Sequence, residues 1–413
     1  MKLFSLVFML LLCLPRLIQA QEKQLEDFLM QGRANSPLLH DYANQVKSLG
    51  WDSAKLRAGY GVQVAANSDF MYAPVIHGWG YDPAITNGQN VSALMVVSKE
   101  VIGKNNLQTR LNSLMLQQKA IEGQSQLSEQ ALFQQITGQY IICYSDQQQL
   151  ILTEEILSFL QKEDDVLRKL TRSSVLKQTD YLTFKVALQQ QSLAREQTNI
   201  QLHNDLAALN YMCGITDTTF ILLTAPKLKP TVTTSFDQSR YAANFRIDSL
   251  KNANNAELIN LNYKPKVSVF ADGGYQSALP REAYKNWGIS AGVNITLPVY
   301  DGRQRKMSLL QNDLAEDTRK QSKEFLRKQF EQQKMQLMQQ LTDYQNLTAS
   351  AERQLNYTRT LVEADKKQLG TGDIRMTDYL LAVHNYLDLR FSLIQYEAAK
   401  LSILNALNYL ILK

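Results

Sequence analysis

Two turns of this chain carry the same set of side chains. Thr-Asp-Tyr-Leu occurs at Thr179–Leu182 and again at Thr377–Leu380. Each aspartate follows a basic residue by three positions, Lys177 before Asp180 and Arg375 before Asp378. A hydroxyl, a carboxylate, a phenol and a cation so spaced can start a helix, because threonine and aspartate cap well and an acidic first turn suits the helix dipole. They can also form ion pairs with a neighbouring helix. They are not the parts of a catalyst. His40, His77, His203 and His384 are scattered, with no His-Glu-x-x-His, Cys-x-x-Cys or nucleophile-elbow pattern. The Gly-x-Gly within Ala58–Gln63 has no helix after it and is no phosphate loop. No enzyme activity, cofactor or metal site is expected.

The repeat extends beyond these turns. Thr179 and Thr377 are 198 positions apart, and the same offset aligns SALMVVSKEVI from Ser92 with SAGVNITLPVY from Ser290, and ALNYM from Ala208 with ALNYL from Ala406. Ungapped matches at one offset over such a span indicate an internal duplication into two fold-sized halves rather than a short-period array. The expected division is a first repeat over 21–215, a linker over 216–245 and a second repeat over 246–413.

Ahead of the repeats, residues 1–20 read as a secretory signal. Lys2 precedes the apolar run Leu3–Leu14, and Ile18-Gln19-Ala20 forms a small-residue exit, so cleavage is expected after Ala20. That run is shorter than the ~20 residues a membrane helix needs. Gln21 follows the cut and Cys13 lies inside the signal, so no lipid anchor is expected. Cys143 and Cys213 are the other cysteines, too few for a disulfide scaffold. A net charge of +5 is too mild to argue for nucleic acid.

Four segments alternate with a period of two: about 55–67, 90–102, 265–276 and 287–300. In the last, Trp287, Ile289, Ala291, Val293, Ile295, Leu297 and Val299 share one face against Gly288, Ser290, Gly292, Asn294, Thr296, Pro298 and Tyr300. Phe270 is the exception on the polar face of the third. Ser68–Gln89 and Ser277–Asn286 connect the members of each hairpin. Two readings fit, a half-buried soluble sheet or membrane strands of ~9–11 residues, apolar outward and polar inward. Four strands cannot close a barrel, since the smallest membrane barrels use about eight. Open edges are not tolerated in lipid, so membrane strands would have to be shared among several copies.

Each second strand runs into a long helix, about 105–170 and about 303–369, followed by a return helix, about 178–213 and about 377–412. The stretch from Arg303 to Leu369 would measure roughly 100 Å at the helical rise. In the last return helix Leu380, Leu387, Ile394 and Leu401 recur every seventh residue, a narrow coiled-coil seam with polar flanks. Thr-Asp-Tyr-Leu thus falls where each return helix begins.

With that order of elements, the sequence resembles the TolC-like outer-membrane efflux family. The resemblance lies in Gly288–Leu314 (GISAGVNITLPVYDGRQRKMSLLQNDL), in Leu369–Leu410, and in Asn35–Leu39 (NSPLL), and covers nearly all of the chain after the signal. It implies an α+β membrane protein in which each duplicated half gives a two-strand hairpin and long coiled-coil helices. Three copies would form a 12-stranded β-barrel continuous with an α-helical periplasmic barrel. The implied role is the outer-membrane channel of a tripartite efflux system, with a periplasmic adaptor protein and an inner-membrane RND or ABC transporter as partners. A type I protein secretion duct shares that architecture, and a periplasmic coiled-coil spacer or adhesin would explain the helices alone. The resemblance puts a periplasmic gate at Thr179, Asp180, Tyr181, Gly372, Thr377, Asp378 and Tyr379, and charge logic adds Lys177 and Arg375 as its latch cations. Ser174 stands at the offset of Gly372, and Leu381 occupies a place that is often acidic in the family. The strand-to-helix junction is assigned to Pro298, Asp301 and Gly302, where Asp301-Gly302-Arg303 replaces an Asp-Gly-Gly.

Overall fold

In the computed structural model, residues 23–86, 88–101, 104–217, 221–229, 235–278 and 283–411 are described. The expected signal peptide lies outside them. Alternating side chains put four strands into one antiparallel sheet: β1 (Gln63–Tyr72), β2 (Gln89–Val101), β3 (Lys266–Ser277) and β4 (Trp287–Thr296), in the order β1-β2-β3-β4. The two hairpins meet at the β2–β3 seam, where Val91 pairs with Ser277 and Val101 with Val267. Among the described residues, β1 and β4 each keep one unpaired edge.

The register sorts the two faces. Val64, Val97, Ala271 and Ala291 form one row, Ala66, Met95, Gly273 and Ile289 the next, and Ser68, Ala93, Tyr275 and Trp287 a third. On the other face lie Asn67, Asp69, Ser92, Gln276, Asp272, Ser290 and Asn294, with the Ser290 hydroxyl donating to Asp272 at 2.7 Å. Val64, Phe70, Met95, Ile289, Val293 and Ile295 stay exposed on the apolar face. A continuous apolar surface of this kind marks a face built for a partner or a membrane. Phe270 has a local reason for breaking the pattern. It pairs with Gly292, and a Cβ added there would lie 2.6 Å from the Phe270 ring, so the ring covers the gap that glycine leaves.

Two strand boundaries are corrected. The last strand, expected to about 300, stops at Thr296, ahead of Pro298, which has no N–H for a ladder. The segment 55–67 is not a single strand. Helix α2 (Pro37–Gly59) runs through Lys55–Gly59, and β1 starts at Gln63 and continues to Tyr72. Lys55, Leu56, Arg57 and Ala58 are strong helix formers, so local propensity outweighs a short alternation built largely on glycine and alanine. Gly61 N–H and the Gln63 side chain both donate to the Ala58 carbonyl, at 2.9 and 2.8 Å, and close the helix. The hairpin connection is therefore 73–88, with a short helix α3 (Pro83–Thr86) inside it.

The remaining helices are α1 (Leu25–Asn35), α4 (Lys104–Arg172), α5 (Gln178–Met212), α6 (Arg240–Leu261), α7 (Gln304–Thr371) and α8 (Met376–Ile411). Helix α6 begins inside the segment expected to be linker, 216–245, and gives the second half a helix ahead of its strands, as α2 does in the first. Another part of that segment is pinned by side chains. Gln147 accepts from Leu223 N–H at 2.8 Å and donates to Leu223 O at 3.0 Å, and the Tyr140 hydroxyl donates to Thr224 O at 2.7 Å.

The chain divides into two compact units that cut across the repeats. One comprises residues up to Leu39, Leu127–Ser239 and from Lys328 onward; the other comprises His40–Gln126 and Arg240–Arg327 and holds the sheet. The first unit has two apolar clusters. One gathers Leu25, Phe28, Ile136, Tyr140, Cys143 and Leu209; the other gathers Leu160, Leu167, Phe184, Met376, Tyr379 and Val383 around the two helical turns. Among the described residues, no helix is long and apolar enough to cross a membrane.

Candidate functional site

The two Thr-Asp-Tyr-Leu turns share one backbone design. After α4, Val175 N–H reaches back to Leu170 O (3.0 Å) and Ser174 N–H to Thr171 O (3.1 Å); after α7, Asp373 N–H reaches Gln368 O (2.9 Å) and Gly372 N–H reaches Leu369 O (3.2 Å). These pairs sit at the 198-residue offset and form the helix ending in which one residue must be left-handed. Gly372 has φ +83° and Ser174 has φ +61°. Glycine adopts that region freely, whereas a Cβ there costs about 1 kcal/mol. Ser174→Gly is therefore expected to stabilise the protein by about 1 kcal/mol, read as a higher thermal midpoint.

The first helical turns also match. Lys177, not Thr179 or Asp180, is the N-cap of α5, with no side-chain cap hydrogen bond, and its carbonyl accepts from Asp180 N–H at 3.1 Å. Arg375 holds the corresponding place before α8. The Asp378 carboxylate accepts the Arg375 backbone N–H at 3.3 Å, so part of its role is to close the helix start. Lys177, Thr179, Arg375, Thr377 and Asp378 are exposed and Asp180 is half-buried. Among the described residues, neither Lys177 nor Arg375 forms an ion pair within the chain. Leu381 is exposed one turn further on.

The two tyrosines differ. Tyr181 is half-buried, and its oxygen accepts from Arg168 Nε at 3.3 Å. Tyr379 is 1% exposed in the apolar cluster, and its hydroxyl has no hydrogen-bond partner among the described residues. Burial, and then the nearby Glu163 charge, raise its pKa. Tyr379 is a core residue of the cluster around the two turns.

Sequence reasoning missed the charges that tie the two helical hairpins together. Glu163 on α4 pairs with Lys366 on α7 at 2.5 Å, and Lys366 Nζ stands 5.2 Å from the Phe159 ring centroid. Glu155 on α4 pairs with Arg390 on α8 at 3.4 Å. Within the first hairpin, Asp164 accepts from Arg168 (2.6 Å) and from Lys185 (3.3 Å). Burial raises the Asp164 pKa, but the hydrogen bonds from Arg168 and Lys185 outweigh it and hold the carboxyl below its usual range. The i,i+4 spacing of Asp164 and Arg168 is visible in the sequence. The cross-hairpin pairs carry no such signature, because Glu163 and Lys366 are 203 residues apart.

A second charged feature lies on α4 and α5. Asp146 and Asp205 face one another half-buried, and Asp205 also accepts from Gln201 at 2.6 Å and from Gln139 at 3.2 Å. Burial, and then the Asp205 carboxyl, push Asp146 up from 3.8 to about 7. Between those values the folded chain keeps a proton that the unfolded chain releases, so stability falls as pH rises from about 4 to about 7. Water still reaches the pair, so the expected loss is on the order of 1 kcal/mol. Thermal midpoints measured across that window should decline in the wild type and stay flatter in Asp146→Asn. Burial also pushes the thiols up, Cys143 to about 12 and Cys213 to about 11, which leaves both unreactive.

In the sheet-bearing unit, Asp301 organises the junction after β4. Its carboxylate accepts from Arg303 N–H at 2.9 Å and from Arg305 N–H at 2.8 Å, and these bonds hold it below the usual carboxylate range. Gly302 and Arg303 are both left-handed, with φ +63° and +68°. Pro298 stands in the irregular stretch between β4 and this turn. Among the described residues no group of three or more His, Cys, Asp or Glu side chains could hold a metal ion.

No protein-family model matches the chain, and no curated protein sequence does. Solved structures match along almost its whole length. The outer membrane protein VceC of Vibrio cholerae is similar at TM-score 0.74 and 13% identity, over 94% of this chain and 95% of that one. The CmeC outer membrane channel of Campylobacter jejuni is similar at TM-score 0.73 and 11% identity, over 94% and 85%. The open state of the MtrE outer membrane channel of Neisseria gonorrhoeae is similar at TM-score 0.73 and 11% identity, over 94% and 88%. The resemblance to TolC-like proteins therefore holds at the level of fold: the chain shares the fold of these outer-membrane proteins.

Proposed function

We propose that this chain is the outer-membrane duct of a tripartite efflux system, working as a homotrimer. One observation carries the reading. The sheet has four strands, an exposed apolar face, a polar opposite face and two unpaired edges. A lone sheet of this kind has no stable place in water or in lipid, and edges must be closed in a membrane. Three copies would supply twelve strands and close it. The apolar rows would then meet acyl chains, and Asp69, Asp272 and Asn294 would line the water-filled lumen.

On this reading the helices form a periplasmic barrel, and the two Thr-Asp-Tyr-Leu turns lie at its entrance, where a periplasmic adaptor and an inner-membrane RND or ABC transporter would dock. The exposed Asp378 and half-buried Asp180 would give six carboxylates per trimer at that entrance, a field that favours cations. The Glu163–Lys366 and Glu155–Arg390 pairs would hold neighbouring hairpins of one subunit together in the shut state. Substrate choice would rest with the pump, in keeping with a chain whose functional residues are charges and turns.

The test is the mass of the purified protein in detergent together with conductance in planar bilayers. A trimer giving small, cation-preferring steps, with the preference weakened by Asp180→Ala plus Asp378→Ala, supports the reading. A monomer without pores removes it.

A further inference from the structure

The connection between β1 and β2 is ordered by its own hydrogen bonds yet turns its largest apolar side chains outward. Ile76 and Trp79 exchange two backbone hydrogen bonds, each of 3.0 Å, across His77 (φ +53°) and Gly78 (φ +83°). Two left-handed residues in succession make the tight hairpin turn that matches strand twist. Gly80 packs where a Cβ would lie 2.9 Å from Pro74 O and from Val75 Cα, so the backbone folds closely on itself. Asp82 starts the short α3 by accepting Ala84 N–H at 2.8 Å, and Ala73 N–H closes the connection on Gly88 O at 2.9 Å. This knob nevertheless presents Trp79 at 85%, Ile85 at 82% and Tyr81 at 76% exposure, with Val75 and Ile76 also exposed.

Among the described residues, side chains of this size on a backbone that is already closed have no covering partner. Their composition narrows what they would meet. Asp82 is the sole Asp, Glu, Lys or Arg between residues 73 and 88, and it is used locally, so no charge pattern addresses a folded polar partner or an anionic ligand. Tryptophan and tyrosine with isoleucine are the residues of a membrane–water interface, where the ring body is apolar and its N–H or O–H stays wet. The knob is also continuous with a band of that type. Phe70 and Tyr72 lie on the apolar face at the end of β1, and the Tyr275 and Trp287 rings meet edge-on at 5.7 Å on the same face. Such girdles flank the apolar band of membrane barrels.

We propose that the 73–86 knob is a membrane anchor, laying Trp79, Tyr81, Ile76 and Ile85 into the lipid interface beside the sheet and extending the aromatic band outward along the membrane. This inference rests on the reading of the sheet as a membrane wall, and the test separates the two. Three tryptophans occur in the sequence, Trp51, Trp79 and Trp287. One variant keeps Trp79 alone (Trp51→Phe, Trp287→Phe); the other keeps Trp287 alone (Trp51→Phe, Trp79→Phe). Each is reconstituted in phosphatidylcholine vesicles whose acyl chains carry bromine near the headgroup.

The expected result is loss of emission from both variants, with Trp79 quenched by the brominated lipid and shielded from aqueous acrylamide. Trp287 quenched by lipid while Trp79 remains open to acrylamide would overturn the anchor and leave the membrane wall standing. Trp79 protected from both quenchers would overturn it in favour of contacts between knobs of neighbouring subunits over the pore mouth. Quenching of neither tryptophan by lipid would overturn the membrane wall and the anchor together.

Discussion

Gly274→Ala is expected to abolish assembly of the proposed membrane duct, while Gly288→Ala, its cross-strand partner, assembles as the wild type does. The two glycines pair directly across β3 and β4, but their surroundings differ. A Cβ on Gly274 would sit 2.2 Å from Ala93 O and 2.9 Å from Leu94 Cα, both backbone atoms of β2. A Cβ on Gly288 meets nothing within 4 Å. A flexible side chain can swing away from an added methyl, whereas a strand held by its ladder cannot, so β2 and β3 must part around position 274. Overpacking alone costs about 1–3 kcal/mol, and the parted hydrogen bonds add to it. The position makes the cost decisive, because the β2–β3 seam is what joins the two hairpins of one subunit. Detergent-stable oligomer recovered from membrane fractions is the measurement. Recovery of Gly274→Ala at the wild-type level would show that the seam tolerates a side chain at that point.

That difference between two neighbouring glycines also marks how far the sequence could be read. The β4 face is legible because Trp287, Ile289, Val293 and Ile295 are large and alternate strictly. The start of β1 is not, because Leu56 and Ala58 satisfy a strand period and a helix equally well, and helix propensity settles it. The duplication made the turns readable even where a residue type changed. Ser174 takes the left-handed place of Gly372 because the same hydrogen bonds close both turns. What no spacing could supply is which side chains meet between hairpins. The resemblance sets Tyr379 near the gate without saying which way it faces; it is the third residue after the buried Met376, and the α8 face carrying both packs inward. Glu163 and Lys366 look like ordinary solvated charges on polar helices until α4 and α7 are brought together.

In the proposed duct, Lys366→Ala is expected to raise conductance several-fold, and far more than Arg390→Ala does. Both cations link α4 to the second hairpin, but their partners are buried to different degrees. The Glu163 side chain is 11% exposed, whereas that of Glu155 is 65% exposed. An exposed pair contributes about 0–1 kcal/mol because water and salt replace it readily. Removing Lys366 instead leaves a carboxylate in a largely closed place beside Phe159 and Tyr379, and an unsatisfied buried charge costs about 1–3 kcal/mol or more. In the proposed duct that cost would fall on the shut arrangement, since separating the hairpins lets water reach Glu163. Adding Glu163→Gln to Lys366→Ala should then split two readouts. Removing the stranded charge recovers part of the lost thermal stability, but the tie between hairpins is still missing and conductance stays raised. The exchange Glu163→Lys with Lys366→Glu restores the attraction and should return conductance toward the wild-type level. Wild-type conductance in Lys366→Ala, in a protein that still forms trimers, would mean that this pair braces the helices without holding the entrance shut.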